Sequence, residues 1–211
     1  GFTYTDAGSD ALSSRLFEDK ITTVNGGMNY SLNDKLDGEN ALSLKMTQGV
    51  EWLGAKASNG ESRSRDNGQT NFTKFSLSAS RLQRLPRDIT LSATFSGQWA
   101  SAPLLSSEEF SFGGSSYGRA YDSSEISGDH GMALALELQY TMKPGVSKVK
   151  YLQPYAFWDY GATLDIDADD DPARRTGSSA GLGLRFGITD HFTAGLEVAK
   201  PLSRSVSSAD D

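Results

Sequence analysis

The feature that most constrains this chain is a strict two-residue alternation held over long stretches. From Ile89 to Trp99 the odd positions are Ile89, Leu91, Ala93, Phe95, Gly97 and Trp99, and the even ones are Thr90, Ser92, Thr94, Ser96 and Gln98. Successive side chains of a β-strand point to opposite faces, so this spacing makes a strand with one apolar and one polar face. Met132 to Met142 repeats it, with Met132, Leu134, Leu136, Leu138, Tyr140 and Met142 opposing Ala133, Ala135, Glu137, Gln139 and Thr141. Similar alternation runs through Thr22–Leu32, Leu42–Trp52, Phe75–Ala79, Leu152–Leu164, Ala180–Ile188 and Phe192–Val198, with a partial strand at Phe2 to Thr5. About eight long strands follow, and no segment sustains a helical period.

The connections alternate too. Short links fall at Asn33-Asp34-Lys35, Leu85-Pro86-Arg87, Lys143-Pro144-Gly145 and Thr189-Asp190; long polar loops fall at Gly54 to Thr70, Pro103 to Asp129 and Asp167 to Thr176. Short turns alternating with long loops, joined by strands of about ten residues, are the pattern of an outer-membrane β-barrel. Trp52, Trp99, Tyr140 and Trp158 lie on the apolar faces, where girdle aromatics sit. A soluble antiparallel sandwich or barrel also alternates, but its strands average about five or six residues. The polar faces here also carry Lys45, Glu51, Glu137, Asp159, Arg185 and Glu197 in mid-strand, which suits a wet lumen.

Composition removes other classes. No run approaches the roughly 20 apolar residues of a spanning helix. With 20 basic against 27 acidic residues the net charge is -7, against a general nucleic-acid binder. The chain has no cysteine, so disulfides, thiolate catalysis and Cys-based metal sites are excluded. Only two histidines occur, and nothing places a nucleophile beside the Asp129-His130 pair, so no enzyme activity, metal or cofactor is expected. The acidic run Asp165 to Asp171 could attract Ca²⁺, but it lacks the EF-hand glycine and distal glutamate and reads as a solvated loop. Gly26-Gly27 and the Gly181, Gly183, Gly187 series read as lumen-side glycines that leave room for an inserted loop. The N-terminus has neither the basic nor the apolar region of a signal peptide, so the chain reads as cytosolic, or as a mature chain or an excerpt of a longer one, and the strand pattern favours the excerpt.

The segment from Pro103 to Asp129 is too long for a hairpin loop, and loops beyond about 12–15 residues are usually functional or disordered. It mixes aromatics with glycines, in Phe110-Ser111-Phe112-Gly113-Gly114, Gly118-Arg119-Ala120-Tyr121 and Ser127-Gly128-Asp129-His130-Gly131. These runs resemble the sixth-loop region of two-partner secretion transporters, the haemolysin and filamentous-haemagglutinin secretion/activation proteins of the outer-membrane insertase superfamily. The family loop typically reads Val-Arg-Gly-Tyr or Val-Arg-Gly-Phe; here Arg119 and the aromatic Tyr121 are kept, while Gly118 and Ala120 depart from it. A second stretch, Gln153-Pro154-Tyr155-Ala156-Phe157-Trp158-Asp159-Tyr160-Gly161, resembles the family's aromatic-x-Asp-x-Gly strand through Phe157, Asp159 and Gly161.

The resemblance implies a transporter that secretes a large haemolysin- or adhesin-type exoprotein, unfolded, through its barrel. It implies that Gly118, Arg119, Ala120 and Tyr121 form the tip of a loop folded into the pore. Asp159 would anchor it through Arg119, with Phe112, Gly113, Gly114, Gly128, Asp129 and Gly131 supporting the loop. Family barrels have sixteen strands behind two periplasmic POTRA domains. The expected fold is therefore an all-β, antiparallel transmembrane barrel, here about eight to nine strands of sixteen. Residues 1–211 form one partial barrel domain with a loop inserted at about 103–129. Gly1 then falls near the seventh strand and the His191–Leu202 strand is the fifteenth, leaving the POTRA domains and the closing strand outside the chain. Expected partners are the exoprotein and outer-membrane lipid, not nucleic acid, with a monomeric barrel in the outer membrane of a Gram-negative bacterium. The same motifs serve an insertase of the superfamily. Two further alternatives are a self-contained eight-stranded adhesin or structural barrel, and a soluble lipocalin-like binder.

Overall fold

A computed structural model describes residues 1–11, 14–51, 63–145, 149–166, 174–188 and 192–203. In chain order the strands are β1 (Phe2–Ala11), β2 (Ser14–Asn33), β3 (Gly38–Val50), β4 (Thr73–Leu85) and β5 (Ile89–Ala100). A 3₁₀ turn at Ser106–Glu108 precedes the short β6 (Phe110–Phe112) and β7 (Ile126–Gly128). Then come β8 (His130–Tyr140), β9 (Tyr151–Leu164), β10 (Arg174–Gly187) and β11 (Thr193–Pro201). Nine strands make one antiparallel sheet in the order β1-β2-β3-β4-β5-β8-β9-β10-β11, and β6 pairs with β7 in a ribbon of its own.

The sheet's two faces are the reverse of a soluble protein's. Apolar residues at one parity stand open, with Met28 62%, Leu182 67% and Val198 77% exposed, and Trp99, Leu138, Tyr140 and Trp158 share that face. The other face carries the polar positions, and the long β5–β8 connection covers it. Asp159 and Ser179 there are fully buried. A contiguous apolar belt of this extent is unstable in water and stable against lipid, so the uncovered face is the outer wall. Trp52 and Thr189-Asp190 lie outside the described residues.

Several boundaries differ from the alternation pattern. β3 begins at Gly38 rather than Leu42, β4 runs from Thr73 to Leu85 around Phe75–Ala79, and β10 begins at Arg174, inside the expected loop, rather than at Ala180. The expected partial strand at Phe2 to Thr5 runs on to Ala11, and β2 begins at Ser14 rather than near Thr22. The pairing from Phe2↔Val24 to Ala11↔Ser14 is made by backbone, and Asp6-Ala7-Gly8-Ser9-Asp10 has no apolar alternation to announce it. At the other side, β8 stops at Tyr140, and Met142 makes only an isolated bridge to Leu152.

The turn between β2 and β3 is closed by Asp34, whose carboxylate accepts from the amides of Leu36 at 2.9 Å and Gly38 at 3.0 Å. The Arg81 guanidinium, 2.7 Å away, holds the Asp34 carboxyl well below the usual carboxylate range, helped by Asn40.

The glycine series has another reason than expected. Gly181, Gly183 and Gly187 of β10 stand directly opposite Phe157, Tyr155 and Tyr151 of β9. A Cβ on any of them would collide with the ring of its partner, so they let β9 aromatics lie flat across β10. A Cβ on Gly26 would meet nothing within 4 Å, and one on Gly27 would meet the Leu44 carbonyl at 3.0 Å. The glycines that make room for the inserted loop are Gly131, Gly161 and Gly177.

Candidate functional site

The β5–β8 connection is built on a small apolar base. Ala102, Leu104 and Leu105 pack with Ile21, Phe72 and Ala100 in a buried cluster. The chain then forms the β6–β7 ribbon, in register from Phe110↔Gly128 to Phe112↔Ile126. Beyond it the backbone must reverse twice in little space. Gly113, Gly114 and Gly118 take φ of 125°, 95° and 78°, the left-handed region that L side chains avoid. The Gly114 amide donates to the Tyr121 carbonyl at 3.2 Å and the Tyr121 amide to the Gly118 carbonyl at 2.8 Å, closing the tip.

Phe112 fixes the tip to the wall. Its ring is 1% exposed and lies over Gly161 and Gly177, which face each other across β9 and β10. A Cβ on Gly177 would come within 2.6 Å of the ring, one on Gly118 within 2.7 Å, and one on Gly161 would overlap it. Tyr121 packs beside Phe112, ring centroids 5.9 Å apart, and its hydroxyl donates to the Ser178 carbonyl at 2.9 Å. Gly161→Val, which a β-strand backbone itself tolerates, is therefore expected to displace Phe112 and cost about 1–3 kcal/mol of overpacking. The folded barrel's thermal unfolding in detergent reads this; an unchanged midpoint would mean that the notch does not hold the ring.

Arg119 stands at the centre of the site. Its Nη2 lies 2.9 Å from Asp159 Oδ1 and its Nε donates to Asp159 Oδ2 at 3.1 Å, a two-pronged fork. Oδ2 also accepts the amides of Gly118 at 3.1 Å and Arg119 at 3.0 Å, and Ser179 Oγ at 3.3 Å. Nη1 donates to Glu137 Oε2 at 2.6 Å and lies 3.6 Å from Glu197 Oε2. The guanidinium carbon sits 3.5 Å from the Phe157 ring centroid, in cation–π contact. The strand residues come from β8, β9, β10 and β11, and alternation within each strand places them on one face. Arg185 of β10 repeats the motif over Tyr155, 3.8 Å from its ring centroid, and pairs with Glu137. The Tyr155 hydroxyl donates to Glu197 at 2.8 Å.

A second polar knot ties the loop's stem. Asp129 has no solvent exposure. Its Oδ1 accepts from Arg65 Nη1 and from the Leu104 amide, both at 2.6 Å. Its Oδ2 accepts from Arg65 Nη2 at 3.3 Å and from the Ile166 amide at 2.8 Å. Arg65 also pairs with Glu109 at 2.8 Å, and Asp165 pairs with Arg175 at 2.7 Å. Burial pushes the Glu109 carboxyl above its usual range, against the pull of Arg65.

The structure thus brings Arg119 to Asp159 and seats Gly118, Phe112, Tyr121, Phe157 and Gly161 around them. Ala120 is half-buried beside Arg119. Gly128 abuts the backbone of Leu164, and Gly131 abuts the Phe110 ring. Asp129, expected only as loop support, is the centre of its own network. The sequence reading missed Arg65 altogether; no spacing links it to Asp129, 64 positions away. Glu137, Arg185 and Glu197 were legible as lumen charges, but not as one array. In the acidic run, residues 167–171 lie outside the described residues, and Asp165 is engaged by arginines.

Comparison with known proteins gives the family and the fold. Residues 16–185 match the family described as haemolysin secretion/activation protein ShlB/FhaC/HecB. The outer membrane transporter CdiB of Escherichia coli is 31% identical over 187 residues, covering 86% of this chain and 31% of that protein. The heme/hemopexin transporter protein HuxB of Haemophilus influenzae (strain 86-028NP) is 26% identical over 196 residues, covering 90% of this chain and 34% of that protein. The solved structure of CdiB from Escherichia coli superposes with a TM-score of 0.74 at 26% identity, over 88% of this chain and 34% of that one. The chain spans about a third of the length of the curated relatives it matches. The outward apolar belt, the loop folded on the polar face and these matches agree that this antiparallel sheet is part of an outer-membrane barrel, and that the chain belongs to the haemolysin secretion/activation protein family ShlB/FhaC/HecB.

Proposed function

We propose that this chain is the pore wall and pore loop of a two-partner secretion transporter, which exports a large partner exoprotein of haemolysin or adhesin type in unfolded form. Gly118, Arg119, Ala120 and Tyr121 are the tip that occupies the lumen, and Asp159 is its anchor. The loop withdraws for transport, and its return reseals the barrel. The exoprotein and the lipid of the outer membrane are its partners, and the barrel works as a monomer. This chain supplies no catalytic group.

One observation carries the reading. A connection that could lie outside is folded against the polar face, and its single tip arginine is matched by a fully buried aspartate, a second carboxylate and an aromatic ring. Such an array is reversible: every contact is an ion pair, a hydrogen bond or a cation–π contact, so the loop can leave and return without covalent change. In the full-length transporter expressed with its exoprotein, Arg119→Ala is expected to lower secretion about tenfold or more while the barrel stays in the membrane: removing one partner of a buried pair costs about 3–5 kcal/mol, so the loop is not reseated and the closed state from which each export starts is lost. Exoprotein in the medium and folded barrel in the membrane fraction are measured together. Wild-type secretion in this variant would count against the anchor.

A further inference from the structure

The shelf beneath Arg119 carries a second guanidinium. Arg119 lies over Phe157 and Arg185 over Tyr155, and the two rings are neighbours on β9 with centroids 6.4 Å apart. Glu137 of β8 reaches both cations. Its Oε2 accepts from Arg119 Nη1 at 2.6 Å and from Arg185 Nη2 at 3.2 Å; its Oε1 accepts from Arg185 Nη1 at 2.7 Å. Gln139 Nε2 donates to Oε1 at 2.8 Å. One carboxylate therefore serves two like charges, of which one belongs to the loop and the other to the wall.

We infer that Arg185 is a positioning residue that sets how readily the loop leaves the lumen, by competing with Arg119 for Glu137. This rests on the proposed function, in which the loop is a removable element. Two effects act in the same direction. With the loop in place, Arg185 repels Arg119 and shares its counter-ion, which weakens the closed state. With the loop gone, Arg185 keeps Glu137 paired, so the open state holds no lone carboxylate at that position. A partly buried charge without a partner is costly, and its neutralisation lowers the free energy of the state that contains it.

The signs that follow are opposite for the two partners. Glu137→Gln deprives Arg119 of a carboxylate and leaves two guanidiniums on one shelf, so it favours the open state. Arg185→Gln gives Glu137's charge wholly to Arg119 in the closed state and leaves it in the open one with the neutral donor Gln139 and no counter-charge, so it favours the closed state. A purely structural role would loosen the loop in both variants, because both remove a wall contact. Arg185→Lys keeps the charge while losing the planar contact with Tyr155, and separates charge from packing.

The test is the open-time fraction of the full-length transporter, purified from the outer membrane and placed in planar lipid bilayers. Glu137→Gln is expected to raise that fraction about threefold and Arg185→Gln to lower it by a similar factor, the scale of one partly screened ion pair. Arg185→Lys is expected to stay near wild type. An Arg185→Gln channel that opens as often as wild type, or more often, overturns the inference. Arg119→Ala, recorded beside them, tells the two readings apart. If it too opens like wild type, the loop is not the gate and the proposed function falls. If it opens more while Arg185→Gln does not open less, only the role of Arg185 falls.

Discussion

In the full-length transporter, Asp159→Asn is expected to release the loop almost as completely as Asp159→Ala, although the side chain keeps its size and shape. The reason lies in the count of donors. Oδ2 accepts from three N–H groups, those of Gly118, Arg119 and the Arg119 Nε, and from the Ser179 hydroxyl; Oδ1 accepts from Arg119 Nη2. Every neighbour on both oxygens is a donor. An amide must place an NH₂ on one side, and there it would face a donor in a site with no solvent. Loss of the charge and of one acceptor leaves Arg119, among the described residues, with Glu137 and with Glu197 at 3.6 Å as its carboxylates. The expected cost is about 3–5 kcal/mol, the range for breaking a buried pair. This chain contains no cysteine, so Ala120→Cys gives one label site in it, beside the pair. Labelling by an impermeant maleimide added from outside is expected to be slow in the parent and fast in Asp159→Asn and Asp159→Ala. Slow labelling in Asp159→Asn with fast labelling in Asp159→Ala would show that shape, not charge, seats the loop.

The sequence made the sheet legible because alternation is a local signal that repeats at every strand. Ile89 to Trp99 carries its two faces in its own residues, and no partner is needed to read them. The Arg119–Asp159 meeting was visible only through the family resemblance, since nothing within either segment specifies a contact 40 positions away. The glycines mark the boundary between local and non-local information. Gly181, Gly183 and Gly187 announce that something large lies over β10, but the ring that does so belongs to β9, and only the register decides that. Gly161 looked like a motif residue and proves to be half of the Phe112 notch; its other half, Gly177, drew no notice. β1 was half seen for the opposite reason: its pairing to β2 is clear, but Asp6 to Asp10 lacks the apolar alternation that marks the other strands.

Asp129→Ala is expected to be the more damaging change to stability, and to act through the stem of the loop rather than its tip. The Asp129 carboxylate joins three segments that are far apart in sequence: Arg65 from the β3–β4 connection, Leu104 from the inserted loop, and Ile166 from the β9–β10 connection. Alanine leaves the amides of Leu104 and Ile166 without this acceptor, at about 1–3 kcal/mol each where water cannot replace it, and removes the main counter-charge of Arg65. Arg65→Ala is expected to cost less, because Asp129 keeps its two amide donors. The double variant should then cost less than the sum of the singles, since both remove the same bidentate contact. Thermal unfolding of the folded barrel in detergent gives the three values. A larger loss for Arg65→Ala than for Asp129→Ala would place the centre of the knot at the arginine instead, in its contacts with Glu109 and Asp165. The same variants separate stem from tip. With Asp129 gone, Arg119 still has Asp159, Glu137 and the Phe157 ring, so maleimide labelling at Ala120→Cys should stay slow while the outer ends of the loops become open to protease. Fast labelling in Asp129→Ala would mean that tip and stem release together, and that the two carboxylates, on strand and loop, act as one lock.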